Sequence, residues 1–150
     1  MSITLSSFSI THELACSVEE LWDLLMRPDV HKDWIEGMDG FESGEFDADI
    51  REGGHLTYGF RIGGGGPIQT KVRYLRLDKP AMSAAVEVCY EGRLAISALI
   101  RVAILPQRTA GCRIVHTETA HFLNGDATPE QHRDFVKWWY ASVLRGVAVG

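Results

Sequence analysis

The chain has 150 residues, room for one domain and tight for two. A hydrophobic content of 45% with 23% charged side chains fits a packed globular protein and excludes disorder, collagen and coiled coil. Fifteen basic and 20 acidic residues give a formal charge of −5, which argues against the basic footprint of a duplex binder, so no nucleic-acid partner is expected.

Phe8–Leu14 begins with apolar and polar residues in alternation, the mark of a strand. Ser17-Val18-Glu19-Glu20 is a capping box, and Val18, Leu21, Trp22 and Leu25 follow at helical spacing. Pro28 ends that helix, because the residue before a proline avoids the α region. A second short helix is read from Asp29 toward Trp34. The middle of the chain is strand-like throughout. His55–Ile62 places Leu56, Tyr58, Phe60 and Ile62 on one face, and Gly63–Gly66 is a flexible hairpin loop. Ile68–Leu77, Ala81–Tyr90, Arg93–Leu105 and Cys112–Phe122 follow, joined by turns at Lys79-Pro80 and Glu91-Gly92. Consecutive strands with short turns predict an antiparallel meander. The last element starts with Thr128 as N-cap, Pro129 at N1 and Gln131 at N3, and runs to Val147 with an apolar stripe of Phe135, Val136, Trp139, Val143 and Val147.

The charge is local. Between Asp29 and Glu52 there are nine acids and two bases, a sum of −7, which leaves +2 for the rest. These acids are expected near one end of a cavity, where they would disfavour anionic ligands. Met1–Ser6 lacks a basic region and a long apolar run, and Leu94–Leu105 is broken by Ser97 and Arg101. A cytoplasmic location without membrane insertion is therefore expected. Cys16, Cys89 and Cys112 form no Cys-x-x-Cys pair and are read as reduced, packed thiols. His116, Glu118 and His121 have a ligand-like spacing, but on a strand His121 faces away from His116, so no metal is expected. The four-glycine loop lacks the Gly-Lys-Ser/Thr ending of a phosphate loop, and no cofactor is expected.

The order is one strand, two short helices, six strands and a long helix. It resembles the helix-grip fold of the START, polyketide-cyclase and birch-pollen-allergen (SRPBCC) superfamily. Pro28–Trp34 resembles a "D-P-E" helix ending in tryptophan, Asp49–Gly54 is similar to "D-x-R-x-G-G", and Leu75–Pro80 resembles "V-x-E-x-x-P-P". These features are similar to the subgroup named after the activator of the ninety-kilodalton heat-shock ATPase. The resemblance covers about Phe8 to Val147. It implies an α+β fold with a curved antiparallel sheet of about seven strands wrapped around a long C-terminal helix, a single domain over 1–150, and a hydrophobic cavity between sheet and helix.

Trp34, Tyr58, Phe60, Phe135 and Trp139 are candidates for the cavity walls, with apolar contributions from Leu56, Ile96, Ala98 and Val143. The small residues Ala84, Ala95, Ser97, Ala98 and Ala103 are read as leaving volume unfilled. His116 and Glu118 share a face of the last strand with Ile114. If Ile114 points inward, so do they; if Val115 does, both meet solvent. Three readings stay open. The first is binding of a small hydrophobic or aromatic molecule. The second is a cyclase- or hydrolase-type enzyme with His116 and Glu118 as catalytic base and acid. The third is a co-chaperone-like or other interaction domain, a homodimer included, which requires an exposed apolar patch.

Overall fold

The computed structural model describes residues 3–37, 40–107 and 111–144. Among the described residues, ten elements follow in chain order: β1 (Thr4–Leu14), α1 (Val18–Leu25), α2 (Pro28–Glu36), β2 (Phe41–Asp49), β3 (His55–Ile62), β4 (Ile68–Asp78), β5 (Ala81–Tyr90), β6 (Arg93–Pro106), β7 (Cys112–Phe122) and α3 (Pro129–Val143). Val147, the last residue of the expected stripe, lies outside the described residues.

The strands form one antiparallel sheet in the order β1-β7-β6-β5-β4-β3-β2. Strands β2 to β7 are a meander, and β1 returns to pair with β7 from Thr4↔Phe122 to Leu14↔Cys112. The ladder shifts register at Ser43/Phe46, Tyr74/Arg76 and Val88/Cys89. Each such irregularity bends its strand and adds twist, which is how a long sheet curls around a helix. At the β2 irregularity Gly44 lies against Gly59 of β3, and a Cβ on Gly44 would stand 3.2 Å from the Gly59 carbonyl oxygen. Glu91 and Gly92 both have positive φ, 52° and 80°, the backbone that a two-residue hairpin requires between β5 and β6.

Local chemistry sets the helix ends. In α1 the Ser17 hydroxyl accepts from the Glu20 amide at 3.1 Å, and the Glu20 carboxylate accepts from the Ser17 amide. Pro28 both stops α1 and occupies the first turn of α2, which therefore starts one residue earlier than read from sequence. Thr128 and Gln131 form the same reciprocal box at the start of α3.

The main core joins α1, α2, α3 and the concave face of the sheet through Leu21, Leu25, Trp34, Ile35, Ile104, Ile114, Tyr140 and Leu144. A second cluster gathers Val88, Ala95, Ile96, Ala98, Ala120, Phe122 and Ala127. The three cysteines are free thiols, with Cys16 and Cys112 in contact at 3.9 Å between sulfurs. No helix among the described residues is long and apolar enough to cross a membrane.

Candidate functional site

On β7 the side chains alternate without interruption. Cys112, Ile114, His116, Glu118, Ala120 and Phe122 are buried, while the residues between them are partly or fully exposed. Ile114 thus points inward and carries His116 and Glu118 with it, to 5% and 3% exposure.

These two residues border a cavity of about 480 Å³ between the sheet and α3. That lies within the roughly 300–1,000 Å³ of small-molecule sites. Strand β3 contributes Leu56, Tyr58, Phe60 and Ile62; β4 contributes Ile68, Thr70, Val72 and Tyr74. Met82, Val86, Val88 and Tyr90 come from β5, and Ile96 and Ile100 from β6. The helical wall is His31 of α2 with Gln131, His132, Phe135, Val136, Trp139 and Tyr140 of α3, and Asp126 lies at the loop before α3.

The walls differ in chemistry. From β3 to β6 the lining is aliphatic and aromatic, and its polar atoms are mainly tyrosine and threonine hydroxyls. Burial pushes the Tyr58 phenol up to about 12, against the opposing effect of a hydrogen bond with Thr70. Across β7 and α3 runs a connected polar network. His116 Nε2 lies 2.9 Å from Glu118 Oε1, its Nδ1 lies 2.7 Å from the Tyr140 hydroxyl, and His132 Nε2 meets Glu118 Oε2. An ionised carboxylate only accepts, so both Nε2 atoms carry protons. Burial pushes the Glu118 carboxyl up, but the hydrogen bonds from His116 and His132 outweigh it and hold the group below its ordinary value. Burial also raises the Tyr140 phenol, with the Glu118 charge adding to it, so this hydroxyl stays protonated and donates to His116 Nδ1.

Of the residues singled out from sequence, Leu56, Tyr58, Phe60, Ile96, His116, Glu118, Phe135 and Trp139 line the cavity, and Trp34, Ala98 and Val143 do not. Trp34 stands behind the wall. Its ring packs edge-on against Tyr58 at 5.6 Å, Phe60 at 6.3 Å, Phe135 at 6.2 Å and Trp139 at 6.3 Å. Ala98 belongs to the second cluster, and Val143 is buried in the main core. The small residues do not create the space: Ala84, Ala95 and Ala98 are fully packed, and none of the four alanines or the one serine read that way borders the cavity. The acids between Asp29 and Glu52 do not border it either. Asp29, Asp47 and Asp49 pair instead with Arg27, His55 and Arg51 on the surface, and Asp39 lies outside the described residues. The acids of the cavity are Glu118 and Asp126.

Other lining residues are not singled out by the sequence, among them the polar His132, Tyr140 and His31. His132 and Tyr140 lie on the face of α3 that carries Phe135, Val136 and Trp139: His132 precedes Phe135 by three residues and Trp139 by seven, and Tyr140 follows Val136 by four. The helical stripe extended by one turn finds His132, and Tyr140 falls within it at the i+4 spacing from Val136. His31 gives no such signal. It is held by a hydrogen bond of 2.8 Å from its Nε2 to the Leu25 carbonyl and stacks on Trp139.

No family model matches the chain, and no curated protein matches it. Solved structures do. Mll3558 from Rhizobium loti is similar with a TM-score of 0.85 and 18% identity, over 97% of this chain and 99% of its own. A putative uncharacterized protein from Rhizobium leguminosarum gives 0.86 and 17%, over 95% and 93%. The chain has the helix-grip fold, shared with these structures. Norcoclaurine synthase from Thalictrum flavum, in complex with dopamine and hydroxybenzaldehyde, is similar with a TM-score of 0.66 and 15% identity, over 96% of this chain and 87% of its own. At these identities the likeness is one of fold, and function has to be argued from the site.

Proposed function

We propose that this protein takes a small hydrophobic or aromatic molecule into the cavity between its sheet and α3, with the molecule's polar group against β7 and α3. The carrying observation is the division of the lining: apolar and aromatic from β3 to β6, with the His116–Glu118–His132–Tyr140 network carried by β7 and α3. Such a pocket buries the bulk of a ligand by the hydrophobic effect and orients it through a few polar contacts. A fold neighbour that holds dopamine and hydroxybenzaldehyde supports an aromatic ligand. In this reading residues 1–150 form one domain acting in the cytoplasm. The finer kinship with heat-shock ATPase activator homologues rests on the motifs at Pro28–Trp34, Asp49–Gly54 and Leu75–Pro80.

Titration with the uncharged dye Nile red tests the proposal. A saturable rise in emission is expected, reversed by apolar aromatic competitors and abolished in Val86→Trp, which fills the cavity from β5 while keeping a cooperative melt. Emission that is unsaturable, or unchanged in the filled variant, overturns it.

A further inference from the structure

Within the polar network the four groups are not equally engaged. His116 has both ring nitrogens occupied, by Tyr140 and Glu118, so it has no lone pair to offer a ligand. Glu118 has one oxygen on each imidazole. Tyr140 spends its proton on His116. His132 differs. Its Nε2 is tied to Glu118, while Nδ1 makes no hydrogen bond among the described residues and is not among the fully buried polar atoms, and the residue borders the cavity. With the proton on Nε2, Nδ1 carries a lone pair.

The ring is also held in place. Phe8 of β1 and Phe122 of β7 meet it edge-on, with centroids at 6.0 and 5.8 Å. Its backbone amide donates to the Thr128 carbonyl at 3.1 Å, inside the capped first turn of α3. A base whose far nitrogen rests on a carboxylate, and whose orientation is fixed by packing, is the general arrangement for proton abstraction, because the carboxylate stabilises the imidazolium that forms.

We infer that His132 Nδ1 is a general base for a carbon acid bound in the cavity, with Glu118 and His116 as positioning residues behind it. The substrate class is an apolar, cyclic or aromatic molecule with an acidic C–H, beside a carbonyl or in an activated ring. The C–H bond breaks, its proton goes to Nδ1, and its electron pair stays on the substrate. Return of the proton to another carbon gives an isomer with no co-reactant. This inference rests on the binding reading above. It departs from the assignment of His116 as the base, which its two hydrogen bonds rule out.

The probe is 5-nitrobenzisoxazole, an uncharged aromatic. A base removes its ring C–H, the electron pair forms a nitrile, and the N–O bond breaks to release a coloured phenolate. Expected are saturation kinetics with one ascending pH midpoint, and a fall in kcat of about a hundredfold or more in His132→Gln with KM little changed. Glu118→Gln should lower kcat and move the midpoint to lower pH, since loss of the carboxylate makes the imidazolium less favourable. A merely structural role for Glu118 would leave the midpoint in place. The charged and titratable groups around His132 are Glu118 and His116 on β7, Tyr140 on α3, and Asp126, which is paired with Arg93 at 2.9 Å. An NMR titration of the His132 ring in the unaltered protein must share the kinetic midpoint. Turnover unchanged in His132→Gln, or an NMR midpoint that differs from the kinetic one, overturns the inference while Nile red binding stands. Failure of both probe saturation and dye binding instead overturns the binding reading.

Discussion

Replacing Glu118 by Gln is the sharpest perturbation of the network. The carboxylate accepts two hydrogen bonds from imidazole N–H groups at a site only 3% exposed. A glutamine keeps the shape and one accepting oxygen, and it sets an NH₂ against the second imidazole N–H. One charge-assisted bond is lost, worth about 1.5–3 kcal/mol, and a donor is left facing a donor. Breaking a buried ionic partnership outright costs about 3–5 kcal/mol, so that is the upper bound. At about 2–4 °C per kcal/mol for a chain of this size, the melting temperature should fall by about 3–12 °C at neutral pH, or more at the upper bound. The pH dependence follows from the direction of the Glu118 shift. Its folded value is depressed, so its contribution is fully present above the unfolded carboxyl value and is lost as pH falls through the folded one. Melts of both proteins from neutral pH to about pH 3 should therefore show the gap narrowing on acidification. Equal stability at neutral pH, or a gap that stays constant into acid, would refute an ionised, doubly bonded Glu118.

Trp34 to Ala should cost about 3–5 kcal/mol in urea unfolding, as for other buried aromatics. Trp34 to Phe should cost under about 1.5 kcal/mol, because the indole N–H is buried without a partner and its removal offsets part of the lost packing; equal losses would show that the N–H is satisfied. Among aromatic ligands, 2-acetonaphthone should bind at least about tenfold more tightly than 2-naphthoate, since the anion must approach the buried Glu118 carboxylate. Calorimetry that finds the carboxylate equal or tighter would remove that charge from the recognition argument.

Most of the fold is written in short-range patterns. The capping boxes at Ser17 and Thr128, the hairpin pair Glu91-Gly92 and the alternation along β3 and β7 are local chemistry with a local outcome. The face of β7 was legible too. Comparing Ile114 with Val115 leaves a tie, but the full strand puts Cys112, Ile114, Ala120 and Phe122 on one side against Val115 alone on the other. His132 was hidden by stopping the α3 stripe at Phe135. Strand β2 shows no period, since Phe41, Phe46 and Ala48 straddle a register shift; its place depends on pairing with β3 and on α2 packed against it. The cavity itself is not a sequence property. Its volume depends on how far the curved sheet stands from α3, and its walls are Val, Ile, Met and Tyr, while the small residues pack elsewhere.

The acidic segment and the site divide the chain's charge between two physical roles. The acids of α2, β2 and the following loop are largely exposed, and pairs such as Arg27–Asp29 and Asp49–Arg51 are surface ion pairs screened by solvent that contribute little to stability. They keep the surface solvated and lie away from the cavity lining. Glu118 is the opposite case: one carboxylate withdrawn from water and held ionised by two imidazoles. A buried ionic cluster is weak evidence of stabilisation, because apolar residues of similar volume fill the same space at no loss. The rest of the cavity is built in that apolar way. The β7–α3 wall is therefore where the sequence departs from what packing alone favours. Such departures gather at functional sites, where a fixed charge and an unoccupied base acquire their value only when a ligand arrives.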